Sequence, residues 1–124
     1  MTVTDYTQLE TWQRAMDLAE AVHALTKAYP RDELYGLVSQ TRRSAVSVPS
    51  NIAEGQGRGS SREFVRFLAV ARGSLSELQT QIMLAQRFGY VEVKQASALI
   101  EQSWTVGRLL NGLIRAVAPP PDRV

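Results

Sequence analysis

Apolar residues recur in alternating steps of three and four along almost the whole chain, and this spacing predicts four helices. The first is expected at about 8–28 on Leu9, Trp12, Met16 and Ala19, with Ala15, Leu18, Val22 and Leu25 widening the apolar face. Tyr29-Pro30 ends it, because the residue before a proline is pushed out of helical geometry. The second, at about 33–55 behind an N-cap at Asp32, runs on Leu34, Val38, Thr41, Ala45, Val48 and Ile52. Pro49 falls inside that run, where it removes a backbone donor and crowds the Ala45 carbonyl. The stripe keeps phase from Ala45 to Ile52, so a kink is expected rather than a restart. Gly55, Gly57 and Gly59 then break the helix.

Ser60-Ser61-Arg62-Glu63 reads as a capping box opening a third helix at about 61–88. Its stripe is the cleanest in the chain: Phe64, Leu68, Ala71, Leu75, Leu78, Ile82 and Ala85, closed by Gly89 as a C′ glycine. The fourth helix, at about 93–117, uses Ala96, Leu99, Ser103, Val106, Leu110, Leu113 and Val117, and Pro119-Pro120-Pro121 stops it. No strand-like alternation of useful length appears. The fold class expected is all-α, an antiparallel up-down four-helix bundle in one domain spanning 1–124, with a proline-rich tail at 118–124. Beside the second helix's apolar stripe lies a polar one: Gln40, Ser44, Ser47, Asn51 and Glu54. Three roles are open to it: facing water, satisfying carbonyls freed by Pro49, or meeting a partner subunit. On the third helix, Gly73-Ser74 is expected to admit another helix closely, and Glu77 to pair with Arg42.

Charge sharpens the picture. The net value is only +2, but residues 1–41 hold six acids against three bases, while Arg42, Arg43, Arg58, Arg62, Arg66 and Arg72 face only Glu54 and Glu63 within 42–72. An acidic start and a basic middle point to an anionic partner or head-to-tail self-association, against the plainer reading of an unevenly charged solvated surface. Arg58, Arg62 and Arg66 gather where the third helix begins with free amides, a place suited to an anion or simply to a flexible turn. The six arginines are the candidate nucleic-acid contacts, RNA or DNA. Exposure of Trp12 or Trp104, and a second apolar strip on the first helix, would favour a homo-oligomer.

Other chemistry is scarce. There is no cysteine, which excludes disulfides, thiolate metal sites and a cysteine nucleophile. Glu20-Ala21-Val22-His23 spells one Glu-x-x-His, but a di-iron bundle needs a second histidine and the chain has only one. Gly55-Gln56-Gly57-Arg58-Gly59-Ser60 follows a helix, not a strand, and lacks the Lys-Ser/Thr pair of a phosphate loop. No enzyme, cofactor or metal is expected. The start, MTVTDYTQLETW, has acids and no apolar core segment, and no apolar run approaches the roughly 20 residues that span a bilayer. A cytoplasmic location without membrane contact is expected.

The segments Gly36-Leu37-Val38-Ser39-Gln40-Thr41-Arg42-Arg43 and Ser47-Val48-Pro49-Ser50-Asn51-Ile52-Ala53-Glu54-Gly55 carry a family likeness. So do Arg62-Glu63-Phe64, Phe67-Leu68, Ala71-Arg72-Gly73-Ser74, Glu77-Leu78 and Gly89-Tyr90. The chain resembles the small four-helix-bundle proteins encoded in intervening sequences of 23S ribosomal RNA genes in bacteria. That resemblance implies a protomer that assembles into a homopentameric ring. It also implies kinship with the accessory variability determinant of diversity-generating retroelements, a basic barrel that binds nucleic acid and a reverse transcriptase. It implies no catalytic site.

Overall fold

Asp5 accepts a hydrogen bond from Thr7 N (2.9 Å), which caps a 3₁₀ turn at Tyr6–Gln8. Four helices follow in the computed structural model, which describes residues 5–120: α1 Glu10–Thr26, α2 Leu37–Gly57, α3 Ser61–Arg87 and α4 Val93–Val117. Residues 121–124, and with them Pro121, lie outside the described residues. Each helix packs on its sequence neighbours, and α1 meets α4, so α1–α3 and α2–α4 are the diagonals of a square. Cross-helix pairs show opposed directions. Ser44 and Ser47 of α2 meet Gln81 and Ser74 of α3, and Arg72 and Gln79 of α3 meet Asn111 and Ser103 of α4. The antiparallel bundle expected from periodicity is the fold observed.

The α3 stripe, Phe64 to Ala85, is buried throughout, as is the α4 stripe from Ala96 to Leu113. Leu18, Ile52, Leu68, Leu78, Ile82 and Leu110 are the largest fully enclosed side chains. Removing each from water contributes on the order of 1.5–3 kcal/mol. In α3, Ser60 Oγ accepts from Glu63 N (3.3 Å), but Glu63 turns its carboxylate to Arg66, so only half of the capping box forms. At the far end Gly89 takes φ +81°, while Gly89 N and Tyr90 N donate to the carbonyls of Gln86 and Ala85. That is the paired closure of a Schellman C-terminus. Helix α4 starts on a reciprocal cap the sequence reading passed over, with Glu92 N donating to Gln95 Oε1 (3.4 Å).

Several expectations need correction. In α1 the core line is Thr11, Ala15, Leu18, Val22 and Thr26, whereas Met16 of the expected stripe is 44% exposed. Helix α2 begins at Leu37, not near residue 33, so Asp32 caps nothing there and Leu34 is 48% exposed. The reason is local: residues 31–33 form a separate 3₁₀ turn on Pro30, and the Glu33 carboxylate accepts from Leu37 N (3.3 Å) at the start of α2. Pro49 lies inside an uninterrupted α2, which rules out a restart. Gly55 does not break the helix. A β-carbon there would lie 2.7 Å from Phe67 Cβ, so the glycine lets α3 approach. Gly73 has open space instead of a neighbour, and only Ser74 makes the close contact.

Arg42 does not pair with Glu77. Its Nε donates to Thr26 Oγ1 (2.8 Å) and its Nη2 to His23 O (3.4 Å), placing a cation against the carbonyl end of α1. Glu77 accepts from Gln81 Nε2 (3.2 Å) instead. The polar stripe of α2 takes none of its three expected roles in full; most of it faces α3. Ser44 Oγ donates to Gln81 Oε1 (2.6 Å), the Ser47 and Ser74 hydroxyls share a hydrogen bond (2.8 Å), and Asn51 Nδ2 donates to Ser47 O and Oγ.

Two substitutions test this packing. Leu78→Ala should lower unfolding free energy by about 2–5 kcal/mol, through lost burial plus a cavity. Gly55→Ala should cost about 1–3 kcal/mol by forcing α2 from Phe67, despite alanine's better helix propensity. Urea denaturation of both variants measures the costs.

Candidate nucleic-acid interface

The link between α2 and α3 is three residues, and Gly59 at φ +72° turns the chain there. So short a link lays the last turn of α2 beside the first two turns of α3. Phe67, 9% exposed, packs on Gly55 at this corner. Two guanidiniums lie over its ring, Arg58 from α2's C-cap at 5.0 Å and Arg66 from α3 at 4.6 Å from the centroid. Each also holds a carboxylate on its own helix. Arg58 Nη2 donates to Glu54 Oε1 (2.8 Å), and Arg66 Nε donates to Glu63 Oε2 (2.7 Å). The ring quadrupole and the carboxylate together fix each guanidinium, yet both side chains remain about half open to solvent.

The hydrogen bond from Arg66 holds the Glu63 carboxyl below the usual carboxylate range, and the same bond holds Arg66 in its charged form. Arg62, one helical turn before Arg66, is exposed and makes no hydrogen bond or ion pair among the described residues. The corner therefore presents three arginines against two carboxylates.

The other candidates lie apart. Arg42 is spent on the α1 terminus. Arg43 is exposed on α2 without a hydrogen-bond or ion-pair partner among the described residues. Arg72 Nη1 donates to Asn111 Oδ1 (3.1 Å) across the α3–α4 furrow. With about 1.5 Å rise per residue, Arg42 and Arg58 stand roughly 24 Å apart along α2. One patch of six arginines does not form; three converge. The pairings of Glu54 with Arg58 and Glu63 with Arg66 were readable as steps of four and three. The lid that Arg58 makes on Phe67 was not, because it crosses between helices.

A second surface lies on the opposite side of α2. Tyr6, Trp12, Met16 and Ala19 face Val46, Pro49 and Ala53 across an open furrow of about 520 Å³. Met16 is 44% and Val46 56% exposed, while Trp12 is half-buried with its ring edge-on to Tyr6 at 5.4 Å. This is the second apolar strip of the first helix. Its other wall, on α2, had no signal in the chain.

Among the described residues, no grouping of three or more His, Asp or Glu side chains is placed to hold a metal. No described helix is long and apolar enough to cross a membrane.

Residues 7–112 match the family model described as 23S rRNA-intervening sequence protein. The chain is also similar to a crystal structure of a protein with unknown function from the S23 ribosomal protein family of Bacteroides thetaiotaomicron. That likeness has a TM-score of 0.76 at 19% identity, over 85% of this chain and 98% of the other, and at such identity it concerns the fold. No curated protein matches the sequence.

The Arg66–Glu63 bond makes a testable electrostatic statement. A carboxyl whose folded pKa is depressed contributes stability above its unfolded pKa, and that contribution is lost as pH falls through the folded value. NMR titration should therefore find Glu63 protonating below the ordinary carboxylate range, and Arg66→Ala should return it toward ordinary behaviour.

Proposed function

We infer that this chain, which belongs to the 23S rRNA-intervening sequence protein family, is a non-enzymatic helical module that assembles with itself and presents its α2–α3 corner to nucleic-acid phosphates. The observation that carries this reading is the trio of arginines at that corner. Arg58 and Arg66 are held over Phe67 with their outer edges in solvent, and Arg62 stands beside them. Guanidiniums already ordered lose less side-chain freedom on meeting a phosphate than freely moving ones.

A single corner is weak, because Glu54 and Glu63 offset two of its three charges. Self-assembly supplies the rest. In the homopentameric ring that the family resemblance implies, the corner repeats once per copy, and modest attraction at each becomes avidity along one strand of RNA or DNA. Contact of this kind is directed at phosphate and tolerates any sequence. A partner enzyme acting on nucleic acid, such as a reverse transcriptase, is the further partner that the family resemblance implies.

A second reading has its own support. Arg42 and Arg72 are held by neighbouring helices within the protomer, which is how arginines behave in a scaffold. In that reading the corner arginines contact a neighbouring subunit.

Binding of single-stranded RNA and duplex DNA across about 50–200 mM salt separates the two, because neutralised phosphates release counterions and steepen the salt dependence. The parent should bind at low salt. The Arg58→Ala/Arg62→Ala/Arg66→Ala variant should lose affinity and salt slope while keeping helicity and oligomer size. A parent that binds nothing at low salt, or a variant that falls to monomers, transfers the arginines to the scaffold role.

A further inference from the structure

We propose that the α1–α2 furrow of one copy receives the Trp104 side of the α3–α4 face of a second copy, a head-to-tail contact resting on the self-assembly inferred above. Square packing puts these faces on opposite sides of the bundle, because α1–α2 and α3–α4 are opposite edges. Trp104, 54% exposed, lies seven residues before Asn111, the residue that takes Arg72 from α3, so it stands on the same side of α4. Met83 of α3, 45% exposed, adds to that face. A large aromatic offered to an open apolar furrow is the kind of anchor that dominates protein contacts.

Charge selects the occupant and the direction. Helix α1 carries Glu10, Asp17 and Glu20 against Arg14; Glu20 lines the furrow, and neither it nor Asp17 forms an ion pair among the described residues. Helix α4 carries Lys94, Arg108 and Arg115 against Glu101, with Arg108 one turn beyond Trp104 and Arg72 reaching across at Asn111. The basic margin around the tryptophan thus meets Glu20 in the furrow wall. Pairing furrow to furrow would set Glu20 against its own copy. Unlike faces generate a ring where the rotation closes.

Met16→Glu spoils the furrow and Trp104→Glu spoils the opposite face, both at exposed positions. By light scattering after size exclusion, the parent should be a multimer, and each variant alone a monomer of parental helicity. An equimolar mixture has one intact furrow and one intact opposing face, so it should give a complex of two chains. Val46→Lys and Met83→Glu repeat the test should either first variant lose helicity. If Trp104→Glu assembles like the parent while Met16→Glu does not, the furrow pairs with itself and the proposal falls. A mixture that stays monomeric overturns it too. Both variants assembling like the parent rejects these faces but leaves self-assembly standing. A monomeric parent removes both.

Discussion

Phe67 lies so close to Gly55 that a β-carbon on residue 55 would sit 2.7 Å from its own, and the alignment of the two longest-packed helices follows from that contact. With the corner fixed at one end, the antiparallel register brings Ser47 to Ser74 and Ser44 to Gln81. Each pairing needs a hydroxyl opposite a polar partner. Sliding α3 by one residue would leave buried groups without bonds, at about 1–3 kcal/mol for each. Apolar burial drives α2 against α3, and this polar seam decides where they stop. The candidate corner inherits the result, because Arg58 lies over the Phe67 ring, across the two helices, in this register.

Much of the fold could be read from the chain because the core is one continuous stripe per helix. The α3 and α4 stripes needed only spacing to identify, since nearly every apolar residue at the right interval is inside. Helix α1 was harder. It has apolar residues on two adjacent lines, and periodicity cannot say which line meets the core. The structure buries the line through Ala15, Leu18 and Val22 and leaves Met16 outside. The start of α2 misled for a different reason. Asp32 is a good capping residue in isolation, but Pro30 had already committed the chain to a separate 3₁₀ turn, and Glu33 took over the capping.

The candidate site was legible only as composition. Six arginines within 42–72 are plain in the sequence, but their grouping depends on tertiary placement. Arg42 reaches Thr26, sixteen residues away, and Arg72 reaches Asn111, thirty-nine away, and neither distance has a local signature. Sequence spacing does carry the i,i+4 and i,i+3 carboxylate partners of Arg58 and Arg66, and with them the reduced charge of the corner. A count of basic residues therefore overstates the attraction of one protomer for a polyanion.

That reduction ties anion contact to assembly. A phosphate arriving at the corner competes with Glu54 and Glu63 for guanidiniums already satisfied, so the gain at each corner is a difference of two similar interactions. Only repetition makes such a small difference decisive. The proposed head-to-tail contact would act in the same direction through a second route. It would cover Glu20, which lines the furrow, with the basic margin of the next copy. Its repulsion of an approaching strand would weaken once it faces cations at short range. Arg58, Arg62 and Arg66 lie on the α2–α3 edge, which takes part in neither face of that proposed contact, so they would stay open in the proposed ring. On the proposed assembly, a protomer of net charge only +2 would present a repeated set of ordered arginines with the furrow's Glu20 set aside.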